Sequence, residues 1–142
     1  MKKYSLENDI KVFGVEVKSF PGGIGDAFDK MANMISGGFD RSYYGFTRMT
    51  GKGIIYKAAA EEKFEGEAEK YDCERYIIEK GEYLMTPLKD WRSKTDLIKD
   101  IFHELMMDTR VDQNRECIEW YKDDNEMLCM IKTAGTKNSA VI

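Results

Sequence analysis

Polar and apolar positions alternate from Ile10 to Val17. Phe13, Val15 and Val17 fall on one side of an extended chain, with Glu16 and Lys18 on the other, which predicts a strand. The segment SFPGGIGD, with one proline and three glycines, interrupts it. From Ile24 the period lengthens. Ile24, Ala27, Phe28, Met31, Met34 and Ile35 recur at helical spacing, predicting an amphipathic helix stopped by Ser36-Gly37-Gly38. Ser42–Met49 and Gly53–Ala60 then read as two strands of a hairpin turned by Thr50-Gly51-Lys52.

The same order returns after a charged connector, Glu61–Asp72, which reads as a solvated loop or mobile strand end. Cys73–Met85 reads as one long strand with a bulge at Gly81. Ser93 and Asp96 resemble a capping box opening a second helix, with Leu97, Ile98, Ile101, Phe102, Leu105 and Met106 as its stripe. A strand through Cys117–Tyr121 and a closing strand Glu126–Ala134, joined by Asp123-Asp124-Asn125, complete the chain. Strand, helix, strand, strand therefore occurs twice, about 70 residues apart. The pattern predicts a single α+β domain, 1–142, of two pseudo-symmetric βαββ repeats, about 10–60 and 73–134, with 135–142 a tail. Six strands would form one antiparallel sheet with both helices on one face and a ligand groove between them.

Composition narrows the function. At 142 residues, 42% apolar and 34% charged, the chain has the make-up of an ordinary globular domain. A net charge of −4 argues against a broad nucleic-acid footprint, which needs a basic surface. No apolar run is long enough to span a membrane, and MKKYSLENDI lacks the apolar stretch of a secretory leader, so a cytoplasmic location is expected. Cys73, Cys117 and Cys129 are widely spaced, and His103 is the sole histidine. They form no zinc spacing, no CxxC pair and no Ser-His-Asp set, so no metal or cofactor is expected. The GxxG from Gly22 to Gly25 lacks the spacing of a phosphate loop.

Several segments, in this order, resemble the GyrI-like family, also called the AraC-type effector-binding domain: KVFGVEVKSFPGGIGDAF, YYGFTRMTGKGIIYKAAAEE, EKGEYLM, CIEWY and MLCMIKT. The resemblance runs from about Ile10 to Ala134. It implies two βαββ repeats and a cleft that takes up amphipathic, often cationic, small molecules through aromatic side chains and a glutamate on the penultimate strand. That glutamate matches Glu119. Nine residues before the first predicted strand and about eight after the last leave no room for a DNA-binding helix-turn-helix, as in stand-alone members.

Alternation puts Cys117, Glu119 and Tyr121 on one strand face, and Ile118 and Trp120 on the other. On alternation alone Glu119 is a solvent-facing residue; the resemblance places it on a groove floor. A carboxylate sheltered from water attracts an organic cation strongly, and aromatic faces add about 0.5–2 kcal/mol each. Burial also raises a carboxyl pKa, which suits a general base or acid.

Ligand contacts are expected from Glu119, Tyr121, Trp91, Tyr44, Phe46, Tyr56 and Phe102. Trp91 draws notice because it stands in a polar loop between Asp90 and Arg92, where an indole serves either as a rim or lid on a pocket or as a half-buried packing residue. The reading preferred is a non-enzymatic binding module for an amphipathic organic cation. The alternatives implied by the family are two. One is a hydrolase of cyclopropane-containing genotoxins, with Glu119 activating water, helped by Tyr121 or Tyr56 and a further polar group such as Glu79 or Glu82. The other is an interaction module whose partner is a regulator or gyrase.

Overall fold

A computed structural model describes residues 1–18 and 23–134. In chain order the elements are β1 (Lys2–Leu6), β2 (Ile10–Glu16), α1 (Ile24–Met34), β3 (Tyr43–Thr50), β4 (Gly53–Glu61), α2 (Glu67–Lys70), β5 (Glu74–Ile78), β6 (Gly81–Lys89), α3 (Ile98–Met107), β7 (Cys117–Tyr121) and β8 (Glu126–Lys132). The fold is α+β. All eight strands join one antiparallel sheet in the order β1-β6-β8-β7-β3-β4-β2-β5.

The sheet is pseudo-symmetric about the β3–β7 pair. β2, α1, β3 and β4 form one half, and β6, α3, β7 and β8 repeat it. Each helix buries its stripe on its own half. Met31 of α1 packs with Phe13, Tyr56, Ala58 and Ala60, while Leu105 of α3 packs with Leu84, Met127, Cys129 and Ile131. The opposite face closes on itself. Leu6 and Ile78, from the two edge strands, share one core with Val12, Tyr44, Tyr83 and Met130, so the sheet curls into a half-barrel. Stripe residue Met34, by contrast, is exposed.

Six strands are expected, and the described residues form eight. β1 escapes the pattern because KKYSL offers only Tyr4 and Leu6 as apolar residues, yet it pairs with β6. The single strand expected over Cys73–Met85 is two. β5 pairs with β2, whereas β6 pairs with β1 and β8. Gly81, at φ 137°, does not bulge a continuous strand; it starts a new one in the other half of the sheet, between β1 and β8. Each half thus sends its leading strand to the far edge of the other half. The crossings are tied where Lys80 N–H donates to Asp9 Oδ1 at 2.7 Å.

Three further expectations are corrected. The acidic connector is not simply solvated. Glu67 of α2 is buried and accepts from Arg41 Nη1 and Nη2 at 2.9 and 3.0 Å, and from the backbone N–H of Lys63 and Phe64 at 2.7 and 3.0 Å. Those donors hold its carboxyl at about 2 despite burial. Ser93 does not cap the second helix. Its hydroxyl donates to Asp90 Oδ2 at 2.6 Å, and α3 begins at Ile98 after two 3-10 turns, without a side-chain cap. The hairpin turn is tighter than expected, with Thr50 still paired to Gly53. The GxxG motif and the tail 135–142 reach into, or lie in, positions outside the described residues.

Candidate functional site

β7 sits at the middle of the sheet, between β3 and β8, and its two faces meet different cores. Ile118 and Trp120 turn into the half-barrel; Cys117 and Tyr121 turn toward the helices. Glu119 lies between these last two and is only 9% exposed. Its Oε1 accepts two hydrogen bonds, from the Tyr56 hydroxyl at 2.6 Å and the Tyr121 hydroxyl at 2.7 Å. Three strands therefore contribute. β7 carries the carboxylate and one phenol, β4 carries the other phenol, and β3 supplies the space.

That space is Gly45, the β3 partner of Glu119. A Cβ at Gly45 would stand 2.0 Å from the Tyr56 hydroxyl and 2.4 Å from Glu119 Oε1. The missing side chain is what admits both groups. On the other side Glu119 pairs with Cys129. Burial pushes the Cys117 and Cys129 thiols up to about 11 and 12, so both stay protonated and neither is a thiolate nucleophile.

Burial also pushes the Glu119 carboxyl above the usual carboxylate range, and the two phenolic donors pull it back only in part. The Tyr56 and Tyr121 hydroxyls are driven well above the ordinary phenol value by burial, then by the neighbouring Glu119 charge. They remain donors throughout the neutral range. The cluster is a carboxyl group that burial makes harder to ionise, held by two phenols that stay protonated.

Tyr121 connects this cluster to a cavity of about 710 Å³ between α1 and the segment preceding α3. Its hydroxyl reaches Glu119 while its ring meets Trp91 edge-on at 4.9 Å and Phe28 at 5.4 Å. Phe28 in turn meets Tyr43 at 6.0 Å. The Trp91 indole N–H donates to the Asp123 carbonyl at 3.0 Å, which fixes the ring at the rim. Arg92 lies over that indole, 4.6 Å from its centroid, and pairs with Asp124 at 2.9 Å. Asp29, Asp40, Glu61 and Asp123 add carboxylates to the lining. The chamber lining combines five aromatic side chains, Phe28, Phe39, Tyr43, Trp91 and Tyr121, with surplus negative charge.

The expected site residues divide. Glu119, Tyr121 and Tyr56 come together, and Trp91 joins them through Tyr121. Phe102 faces a different cavity, at the Cys117 end of β7. Tyr44 and Phe46 are not brought to Glu119. They lie on the opposite face, Tyr44 tilted against Trp120 at 5.8 Å and Phe46 edge-on to Tyr76 at 6.0 Å. Glu79 pairs with Arg115, and Glu82 accepts from the Thr133 hydroxyl at 3.3 Å. Phe28, Tyr43 and Gly45 were missed. Gly45 carried a signal, since an isolated glycine within a strand marks a close approach by another group. Among the described residues no cluster of His, Cys, Asp and Glu is placed to hold a metal, and no helix is long and apolar enough to cross a membrane.

No family model matches the chain, and no curated protein does. Solved structures do. An integron cassette protein from the mobile metagenome of Vibrio cholerae superposes with a TM-score of 0.67 at 13% identity, covering 93% of this chain and 94% of its own. SAV2435, solved bound to tetraphenylphosphonium, gives 0.64 at 9% identity over 96% and 95%. A hydrolase from Listeria innocua gives 0.58 at 13% identity over 94% and 90%. These likenesses establish a shared fold, one that in SAV2435 holds a small organic cation.

Proposed function

We propose that this chain is a small-molecule-binding protein of the GyrI-like effector-binding type, and that it takes up an amphipathic organic cation in the aromatic cavity. Phe28, Tyr43, Trp91 and Tyr121 are the walls, and Glu119 is the buried counter-charge behind Tyr121. The observation that carries this reading is the pair of phenols donating to one oxygen of a carboxylate set beside that cavity. Such an anion has little screening, so a cation entering beside Tyr121 gains more from it than from the surface aspartates. The cation-bound relative in fold supports the ligand class.

A second reading rests on the same three residues. A carboxylate raised by burial, with phenolic donors at hydrogen-bond distance, suits activation of a water as general base. The Listeria innocua relative supports it at the level of fold. Glu119 would take the proton, and Tyr121 would orient the water or the ligand.

One titration tests the proposal. Tetraphenylphosphonium is added to the wild type and to Glu119→Gln while tryptophan emission is followed. The expected result is saturable quenching that weakens at least tenfold in the variant, roughly 1.4 kcal/mol. Equal responses from the two proteins remove Glu119 from the site. Product formation with the bound ligand, lost in Glu119→Gln, selects the hydrolytic reading.

A further inference from the structure

A second cavity, of about 770 Å³, opens at the opposite end of β7 beneath α3. Its size is that of a small-molecule site. Cys117, Phe102 and Met106 give it an apolar lining, while Arg48, Lys99 and Asp100 stand among its charged groups. The balance of charge is the reverse of that in the aromatic cavity. There, every lining cation among the described residues is already paired: Arg41 with Glu67, Arg92 with Asp124 and Lys122 with Glu126. Here Arg48 and Lys99 have no ion pair among the described residues, and Asp100 is the one carboxylate in the lining. Arg115 lines the cavity too, but is held by Glu79.

The two cavities are ends of one strand face. Cys117 lines this one and Tyr121 lines the other, four residues apart on β7, which is roughly 13–14 Å along an extended chain. Glu119 stands between them and repels anions from the middle. We propose that this second cavity is a separate binding site for an amphipathic organic anion, a carboxylate or sulfonate on an apolar body. Lys99 and Arg48 receive the charge, and Phe102 and Met106 receive the apolar part. The two unpaired cations are at the rim, where they keep their charge in water; the apolar body supplies the burial.

The test uses 8-anilinonaphthalene-1-sulfonate as the anion and tetraphenylphosphonium as the cation, each titrated into the wild type, Arg48→Glu/Lys99→Glu and Trp91→Ala. Both reversed residues are exposed, so the fold is expected to persist and is checked by circular dichroism; Lys99→Gln replaces the pair if it does not. The expected pattern is a loss of sulfonate affinity of tenfold or more in the charge-reversed protein, with an unchanged response to the cation. Trp91→Ala should show the opposite pattern, with sulfonate affinity kept. Failure of the cation to bind would sink the proposed function and leave the sulfonate result standing. Three results overturn this inference: no saturable sulfonate binding to the wild type, equal affinity in the reversed variant, or complete displacement of the sulfonate by the cation.

Discussion

Gly45 and Glu119 face each other across the central strand pair, and the volume a side chain would take at Gly45 is filled by the Glu119 carboxylate and the Tyr56 hydroxyl. Gly45→Ala should therefore act on the cluster before it acts on the sheet. The new methyl would meet a buried phenol and a buried carboxylate, and overpacking of this kind costs about 1–3 kcal/mol. The expected outcome is a lowered melting temperature together with loss of tetraphenylphosphonium binding. Retained binding at wild-type strength would mean that the cation does not depend on this cluster.

On the proposed reading, Glu119 should make stability and cation binding respond to pH in opposite directions. Its folded pKa is raised, chiefly by burial, so the folded chain holds the proton more tightly than the unfolded one. Its contribution to stability is fully present below the unfolded carboxyl value and is lost as pH rises through the raised folded value. Cation binding needs the ionised form, so it should strengthen over that same rise. Paired measurements of urea midpoint and cation affinity from pH 4 upward should show both trends in the wild type. Both slopes should flatten in Glu119→Gln. A binding curve independent of pH in the wild type would show that ionised Glu119 is not the counter-charge.

How far the sequence carried these conclusions depended on the kind of interaction. Helical stripes at Ile24–Ile35 and Leu97–Met106, and the hairpin at Gly51-Lys52, were legible because local periodicity and turn chemistry determine them. β1 and the division at Gly81 were not. Their pairing is set by partners roughly 60 to 80 residues away and leaves little apolar imprint on KKYSL. Alternation grouped Cys117, Glu119 and Tyr121, and they do share a face. It could not say which face met the helices, because Ile118 and Trp120 belong to an equally apolar core. Tyr44 and Phe46, aromatic candidates that share a face of β3, lie on that half-barrel side of the sheet. Phe28 and Tyr43 had the opposite fate. A stripe residue and a strand residue look like core until α1 is seen to leave a cavity beside them.

Glu67 shows that a charge run can conceal a core residue. Its bidentate pair with Arg41 is almost wholly buried and also anchors the Ser36 and Glu61 carbonyls through the same guanidinium. Removing one partner strands the other, so Glu67→Ala is expected to cost about 3–5 kcal/mol. Replacing both, as Arg41→Met/Glu67→Leu, should recover only part of that loss, read from denaturant midpoints, because the Ser36 and Glu61 carbonyls and the Lys63 and Phe64 N–H groups lose their side-chain partners. Because the folded pKa is depressed to about 2, the contribution is present above the unfolded carboxyl value and fades as pH falls toward 2. If Glu67→Ala costs less than 1 kcal/mol, the pair is not holding α2 to the sheet.

Arg92 occupies the place a ligand cation would take at the rim. Its guanidinium lies 4.6 Å from the Trp91 centroid and is held there by Asp124, whose carboxylate would otherwise be free for the ligand. An organic cation approaching the indole face must displace this side chain or stack beyond it. Arg92→Ala opens the face and releases Asp124, adding one aromatic contact of about 0.5–1 kcal/mol at an exposed site. Affinity for tetraphenylphosphonium should rise by two- to fivefold, with the larger gain at low salt, where Asp124 is least screened. Arg92→Lys keeps the charge and loses the planar stack, and should fall between the two. If Arg92→Ala instead weakens binding, the guanidinium is part of the wall that receives the ligand, and the cation enters from the Phe28 side of the chamber.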